Sequence, residues 1–418
     1  MSFTKESQKL MSFFLEDFDK YSYQKSKQKE VDIIFKNIFK ELMISNKMYK
    51  TSYKKNTKRE VKEILGEKDI MDCGSLLNSD YVVHEIRQYI ITKSKELLIV
   101  KNKIQGVNVT LYFLLFEKTG NLEKYNAYID DIFIFLNFIL GFVKEKRMDS
   151  LTYCLCLTHF KKKLPDNLSN IISPKHCNTG VTFGCVKKGE ILIFREEEWF
   201  KVLIHETFHS LCLDFNNMHL EKLNGKIRNL ININSQYNLF ESYTETWACI
   251  LNSCFSSLKL IEYKSNLKDF LLYLDFCLHF ERIFSLFQCV KVLDHMGLKY
   301  KNIVNNTSSN NSLKILFYKE NTNVFAYYIV KCILLYYKDD FVLWCVKNNV
   351  DNIFNFLKSE ENLDSFFNLI EYLYTKFDLM NDMKIAYELL MKTKKGYIKN
   401  KRNILTDTLK MTIVNVKN

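Results

Sequence analysis

Apolar and polar positions alternate at helical spacing at both ends of the chain. In residues 1 to about 75, apolar side chains recur every three or four positions, for example at Val31, Ile34, Phe35, Ile38 and Phe39. This period places them on one face of a helix. The same period resumes after Leu239 and continues to the end, interrupted by the polar run 305–312, which is typical of a loop. We therefore predict helical regions at both ends.

The middle of the chain has a different pattern. Short apolar runs typical of strands cover residues 95–103, 107–116, 151–158, 179–185 and 190–194. Gln105 and Gly106 separate the first two runs and suit a hairpin turn. Residues 121–147 predict one long helix, and its apolar stretch Ile132–Val143 is too short to cross a membrane. From Glu196 the helical period returns, with three acidic residues expected in the first turn.

This order of elements predicts an α+β fold that is predominantly helical. Scarce Gly (11) and Pro (2) favour long helices, and 418 residues that are 47% hydrophobic can bury a large core. We expect an N-terminal helical region over residues 1–89, a mixed domain over 90–258 and a C-terminal helical region over 259–418.

Charge and cysteine content narrow the possible functions. The net charge is +12, but no nucleic-acid motif accompanies it, so a Lys-rich surface is expected rather than specific nucleic-acid binding. Twelve Cys occur without paired CxxC knuckles. The first residues lack an apolar signal segment. We therefore expect reduced cysteines, a cytoplasmic location and no membrane span. The oligomeric state stays open.

One motif carries metal chemistry. His205 and His209 are four residues apart on a predicted helix, so both imidazoles point the same way and can reach one zinc ion. Glu206 lies beside the metal position without being aimed at it. There it can accept a proton from a zinc-bound water that attacks a carbonyl carbon. Its apolar neighbours favour a buried active-site helix.

A zinc site needs a third protein ligand. The position ten residues after His205 is Phe215, which excludes the metzincin arrangement, and His219 lies beyond the expected helix end. Cys185 is a weaker candidate, of the kind that peptide deformylases use. The better candidates are Glu241 and Glu245, since two carboxylates on a largely buried helix need a compensating cation.

The pattern HExxH followed by ExxxE resembles the gluzincin branch of the zincin metallopeptidases, most closely the anthrax lethal factor type. The resemblance covers roughly residues 90–258. It implies a zincin-like core with a small twisted mixed sheet, one Zn²⁺ per chain, Glu241 as third ligand and Glu245 as the partner that orients a ligand histidine. Residues 178–215 are also similar to uncharacterised HExxH proteins of large DNA viruses. If the chain is viral, host cytoplasm or virion would be its location.

The resemblance also implies a substrate strand and a donor to the transition state. An antiparallel edge strand binds peptide in zincins, and in this chain it would comprise Asn178, Gly180, Val181 and Thr182. Tyr237, just before the second helix, is the candidate donor. Tyr243, between the two Glu, is expected to face away from the metal.

These features predict a zinc-dependent peptidase, most simply an endopeptidase, that acts on a peptide or protein substrate. The alternative is a zincin-fold structural or binding module, such as a virion component, that keeps zinc without turnover. The general base Glu206 favours the enzyme, because a structural site needs no base. A nucleic-acid binder is a third hypothesis that rests on charge alone. The sequence indicates neither the substrate nor the cleavage preference.

Overall fold

The computed structural model describes residues 2–22, 29–118, 120, 122–143, 148–349, 352–397 and 404–417. Most of the described chain is helical, and the remainder includes one mixed sheet. The α+β, predominantly helical class predicted from the sequence is confirmed. No helix among the described residues combines the length and the apolar character that crossing a bilayer requires.

Helices both precede and follow the strands along the chain. The helices are α1 (Lys5–Leu15), α2 (Lys29–Met48), α3 (Glu67–Met71), α4 (His84–Lys93), α5 (Asn126–Leu140), α6 (Pro174–Cys177), α7 (Trp199–Ser210), α8 (Glu221–Leu230), α9 (Leu239–Leu260), α10 (Leu267–His295), α11 (Tyr300–Val304), α12 (Ser308–Phe317), α13 (Lys331–Tyr336), α14 (Lys338–Asn348), α15 (Glu360–Leu373), α16 (Phe377–Tyr397) and α17 (Ile404–Asp407). The strands are β1 (Lys58–Glu63), β2 (Glu96–Ile104), β3 (Val107–Leu115), β4 (Ser150–Thr158), β5 (Gly180–Thr182) and β6 (Lys188–Arg195). Tyr49–Tyr53 and Phe325–Val330 are π-helical.

The strands form one sheet in the order β1-β2-β3-β4-β6-β5. β3, β4 and β6 run parallel, and β1, β2 and β5 are paired in antiparallel fashion. Gln105 and Gly106 both have positive φ in the β2–β3 turn, as a tight hairpin requires. The short strand β5 therefore lies at one edge of the sheet, next to β6, and β6 leads directly into α7.

Alternating side chains divide the core between the two sheet faces. One face of β2, β3, β4 and β6 packs into a large cluster with helices that include α5, α7, α9 and α10. The opposite face packs a smaller cluster against the segment from α3 to α4. The apolar helix α5 is almost wholly buried, as its sequence predicts. Helices α7 and α9 thus pack on the same face of the sheet.

The structure differs from the sequence predictions in several elements. The N-terminal region contains a strand, β1, whose residues are all exposed and which pairs with β2. The polar run 305–312 is a loop only in its first half, because Thr307 caps α12 by accepting a hydrogen bond from Asn310 N at 3.4 Å. The helix predicted over 121–147 is shorter, and residues 121 and 144–147 lie outside the described residues. The division into three regions stays a prediction.

Candidate metal centre

Helix α7 carries the His-Glu-x-x-His motif in the interior. Every residue from Trp199 to Ser210 is buried. The N-cap residue of the helix, Glu198, has a left-handed backbone (φ 61°). The acidic residues Glu196 to Glu198 precede the helix and do not occupy its first turn, so their predicted position is wrong. Glu197 and Glu198 are buried and paired with nearby lysines instead.

Helix α9 packs on α7 and brings a carboxylate to both imidazoles. Glu241 Oε2 lies 3.1 Å from His205 Nε2 and 3.2 Å from His209 Nε2. The two Nε2 atoms are 3.0 Å from each other. The three predicted metal-binding residues therefore point their donor atoms at one position.

The opposite nitrogen of each ring faces a buried carboxylate. His209 Nδ1 is hydrogen-bonded to Asp214 Oδ2. His205 Nδ1 lies 2.9 Å from Glu245 Oε2, in a bent ion-pair contact rather than a linear hydrogen bond. A proton on each Nδ1 would leave both Nε2 lone pairs directed at the common point. This carboxylate–histidine arrangement is typical of metal sites.

The donor set fits a divalent metal. Corners of a tetrahedron around zinc, with bonds of ~2.0–2.1 Å, lie about 3.3 Å apart, close to the separations in this cluster. Two imine nitrogens at 3.0 Å repel each other unless a proton or a cation lies between them. Two imidazoles and one carboxylate leave one corner of the tetrahedron for a water molecule or a substrate.

Burial and charge shift the pKa values in the cluster. Burial alone would raise the pKa of Glu241, but His209 and His205 outweigh it and hold that pKa well below its ordinary value. Glu245 is also held well below its ordinary pKa, since Lys201 and His205 oppose the effect of burial. Burial raises the pKa of Glu206, with the two imidazoles opposing the rise. Of these three carboxylates, Glu206 is the one whose pKa is raised.

The cluster opens into a cleft of about 240 Å³. All four predicted substrate-binding residues line it, namely Asn178, Gly180, Val181 and Thr182. Arg195 holds the chain before β5 by donating from Nε to Asn178 O at 2.9 Å. β5 thus lines the cleft together with Phe240 and Glu241 at the N-terminal end of α9.

A glycine allows β5 to approach α7 this closely. A Cβ atom on Gly180 would lie 2.8 Å from Val202 Cγ1 and 3.0 Å from Glu206 Cγ. Both distances are shorter than ordinary carbon–carbon contacts. Gly180 therefore sets the spacing between the edge strand and the candidate general base.

Two residues that the sequence did not indicate complete the site. Tyr327, in the π-helical segment, donates its hydroxyl to Glu241 Oε2 at 3.1 Å and lines the cleft. Asn323 Nδ2 donates to Glu241 Oε1 at 3.1 Å. Both come from the region predicted to be a separate helical part, more than 80 residues after Glu241, so no local spacing could have indicated them.

The structure does not bring Tyr237 to the cleft. Its hydroxyl is buried and bonds to Ile231 O and to the backbone of Ile233. Tyr243 faces away from the metal donors, as expected, and donates to Phe354 O at 3.1 Å. The tyrosine that hydrogen-bonds to a donor atom of the cluster is Tyr327.

Cys185 lies at the rim and outside the donor cluster. It forms a disulfide with Cys212, whose Cα atom is 4.7 Å away. This pair departs from the expectation that all twelve cysteines are reduced, whereas the other ten are free and buried. The bond joins the β5–β6 connection to the turn after α7. A thiolate ligand from Cys185 is thus not part of the arrangement.

A larger polar cavity of about 620 Å³ adjoins the cleft. The two share Tyr81, Phe240, Glu241 and Asn323. Amide and hydroxyl side chains dominate the rest of its lining, namely Asn234, Ser235, Gln236, Asn238, Asn321 and Thr322. The cleft at His205, His209 and Glu241 is thus continuous with a larger polar cavity.

The chain was compared with protein-family models, with curated proteins and with solved structures, and none of them matches it.

Proposed function

We propose that the protein is a zinc-dependent peptidase of the gluzincin type, with a zincin-like core. The observation that carries the proposal is the convergence of His205 Nε2, His209 Nε2 and Glu241 Oε2 within 3.0 to 3.2 Å of one another. Glu206, which ligates nothing in this arrangement, lines the same cleft. A metal cluster of purely structural use has no need of a free buried carboxylate beside it.

A divalent ion held by these donors would polarise a peptide carbonyl and lower the pKa of a water molecule in the cleft. Glu206 accepts the proton of that water, since it lines the same cleft and is not one of the metal ligands. The hydroxyl of Tyr327 is positioned to donate to the oxyanion that develops at the carbonyl.

The substrate is proposed to be an extended peptide. β5 is an edge strand that lines the cleft, so a peptide can add to it through main-chain hydrogen bonds. Main-chain pairing is largely independent of the side chains of the peptide. The adjoining polar cavity would select among peptides by their side chains. The cleft adjoins the polar cavity, so there is room for peptide beyond the residue at the cleavage site, and an endopeptidase is the form of the activity that we propose.

A cytoplasmic location remains part of the proposal. Ten of the twelve cysteines are free and buried, as in proteins of a reducing compartment. The Cys185–Cys212 pair is the exception.

The test is digestion of a mixed peptide library by the wild-type protein loaded with zinc, read by mass spectrometry. The matched control is Glu206→Gln, which keeps the metal donors and removes the proton acceptor. We expect cleavage by the wild type and a loss of at least about 10²-fold in the variant, with zinc still bound. Equal cleavage by both proteins would refute the mechanism. A protein that binds zinc and cleaves no peptide would be a binding module instead.

A further inference from the structure

A buried ion pair lies directly behind the metal donors. Lys201 Nζ donates to Glu245 Oε1 at 2.6 Å, and each side chain is 1% exposed. The other oxygen of the same carboxylate, Oε2, is the atom 2.9 Å from His205 Nδ1. Glu245 therefore bridges a fixed cation and a metal-binding imidazole.

The lysine belongs to a larger buried network at the start of α7. Glu198, the N-cap residue of α7, accepts a hydrogen bond from Lys162 Nζ at 2.6 Å through its Oε2 atom. Its Oε1 accepts from Met411 N at 2.7 Å and Thr412 N at 2.5 Å. The network thus ties α7 to a segment more than 200 residues away.

That segment, residues 409–414, is neither helix nor strand, and side chains hold much of its backbone. Tyr328 Oη donates to Leu409 O at 2.7 Å, and Lys331 Nζ donates to Met411 O at 3.1 Å. Glu281 accepts from Val414 N at 2.9 Å. Met411 also lies against Lys201, with Sδ 3.9 Å from Nζ. The segment thus covers the network and helps to exclude water from Lys201.

Burying charges in this way costs stability, because hydrophobic residues of similar volume often replace a buried ion pair without loss. This pair is therefore better explained by a role other than stability. Orientation is such a role: Lys201 occupies Oε1, and the carboxylate is left with Oε2 turned toward His205. Partners behind a ligand histidine fix the ring and its tautomer.

We propose that Lys201 is a positioning residue of the metal centre, which holds Glu245 so that His205 presents Nε2 to the metal. The proposal rests on the function proposed above. It extends the site from the metal ligands and their carboxylates to a lysine and to the segment 409–414 that encloses it.

The test is Co²⁺ binding, because cobalt occupies nitrogen and oxygen sites like those of zinc and its visible spectrum reports ligand geometry. Lys201→Met is compared with the wild-type protein and with Lys291→Met. Lys291 is an equally buried lysine that donates to Leu405 O and Thr408 O in the same part of the chain. Its bonds lie away from Glu245 and His205, so it controls for the loss of a buried lysine. Lys201→Gln is a second, milder variant.

We expect Lys201→Met to bind Co²⁺ about 10-fold more weakly, with an altered visible spectrum, and Lys291→Met to keep the wild-type affinity and spectrum. Wild-type affinity and spectrum in whichever Lys201 variant folds would overturn the proposal. Equal weakening in the Lys201 and Lys291 variants would do the same, because it would show a general loss of packing. A wild-type protein without Co²⁺ affinity would refute the metal centre itself. Co²⁺ binding without peptide cleavage would refute only the peptidase.

Discussion

The Nε2 atoms of His205 and His209 lie 3.0 Å apart, while the Nδ1 atoms of the two rings face different buried carboxylates. Asp214 comes from the turn just after α7, and Glu245 comes from α9. A carboxylate thus holds each ring at Nδ1, and the Nε2 lone pairs of the two rings converge. Their convergence is favourable only with a proton or a cation between them, and the carboxylate of Glu241 at the same point favours the cation, which is the physical basis for regarding the cluster as a candidate metal centre.

The first prediction concerns Asp214. Asp214→Asn keeps the side-chain volume and the acceptor for Asn216 N, which donates to Oδ1 at 2.8 Å. It replaces an acceptor of His209 Nδ1–H by an amide. We expect zinc affinity to fall about 10- to 100-fold, measured by competition with a chelator. Thr244→Val is the control, since it removes only the weak 3.4 Å contact to Asp214. Equal affinities in both variants would contradict this role.

The second prediction concerns Tyr327. Tyr327→Phe removes the hydroxyl that lies 3.1 Å from Glu241 Oε2. If that hydroxyl stabilises the transition state, kcat falls about 10²- to 10³-fold while the zinc content is unchanged. Tyr237→Phe is the matched control, because its hydroxyl bonds to backbone atoms of Ile231 and Ile233 away from the cleft. A loss of kcat in the control variant alone would return the role to Tyr237.

The third prediction concerns the spacing between β5 and α7. In Gly180→Ala, the new Cβ meets Val202, Ile193 and Glu206 at 3.0 Å or less. We expect a loss of about 1–3 kcal/mol in the free energy of unfolding. A higher KM for peptides should accompany it, because the edge strand moves. Gly225→Ala in α8 meets nothing within 4 Å and should leave both quantities unchanged or raise stability slightly. Equal effects in the two variants would exclude this account.

The fourth prediction is a dependence of stability on pH. Burial raises the pKa of Glu281 to about 7, although Thr412, Lys331 and the amide of Val414 oppose the rise. The folded protein therefore binds this proton more tightly than the unfolded chain. The stabilisation is full below about pH 4.5 and is lost as the pH rises through about 7, by at most about 3 kcal/mol.

Denaturant unfolding at several pH values checks this prediction. Glu281→Gln should show a smaller loss of stability between pH 5 and 8 than the wild type. Part of the slope should persist, since burial also raises the pKa of Glu320 to about 7. An unchanged slope in Glu281→Gln would show that the group is ionised in the folded protein throughout this range.

Local spacing in the sequence predicts part of the fold and of the site. The i, i+4 pairs His205–His209 and Glu241–Glu245 each share one helix face, and their residue types limit what they can bind. The β2–β3 hairpin and the buried helix α5 also follow from periodicity and turn residues, whereas the edge position of β5 is implied only by the resemblance to zincins. These features need no knowledge of the tertiary fold.

The remainder depends on contacts between distant parts of the chain. Asn323 and Tyr327 reach Glu241 from 82 and 86 residues away, and the segment 409–414 reaches Glu198 from more than 200. From the sequence alone, the acidic residues before α7 are expected to interact with the helix dipole. The structure instead pairs Glu198 with the buried Lys162, and the sequence gives no sign of this pair because Lys162 is distant in the chain. Proximity in the chain favours Tyr237 as a donor, but its hydroxyl is used by the local backbone.

The most direct test of the metal centre is the metal content of the purified full-length protein, measured by inductively coupled plasma mass spectrometry. The wild type is compared with Glu241→Ala, which removes a donor, and with Glu245→Ala, which removes the shared partner of His205 Nδ1 and Lys201 Nζ but no donor. We predict about one zinc per chain in the wild type, none in Glu241→Ala, and zinc that is retained but more weakly held in Glu245→Ala. Zinc at the wild-type level in Glu241→Ala, or none in the wild type after dialysis against zinc, would contradict the account.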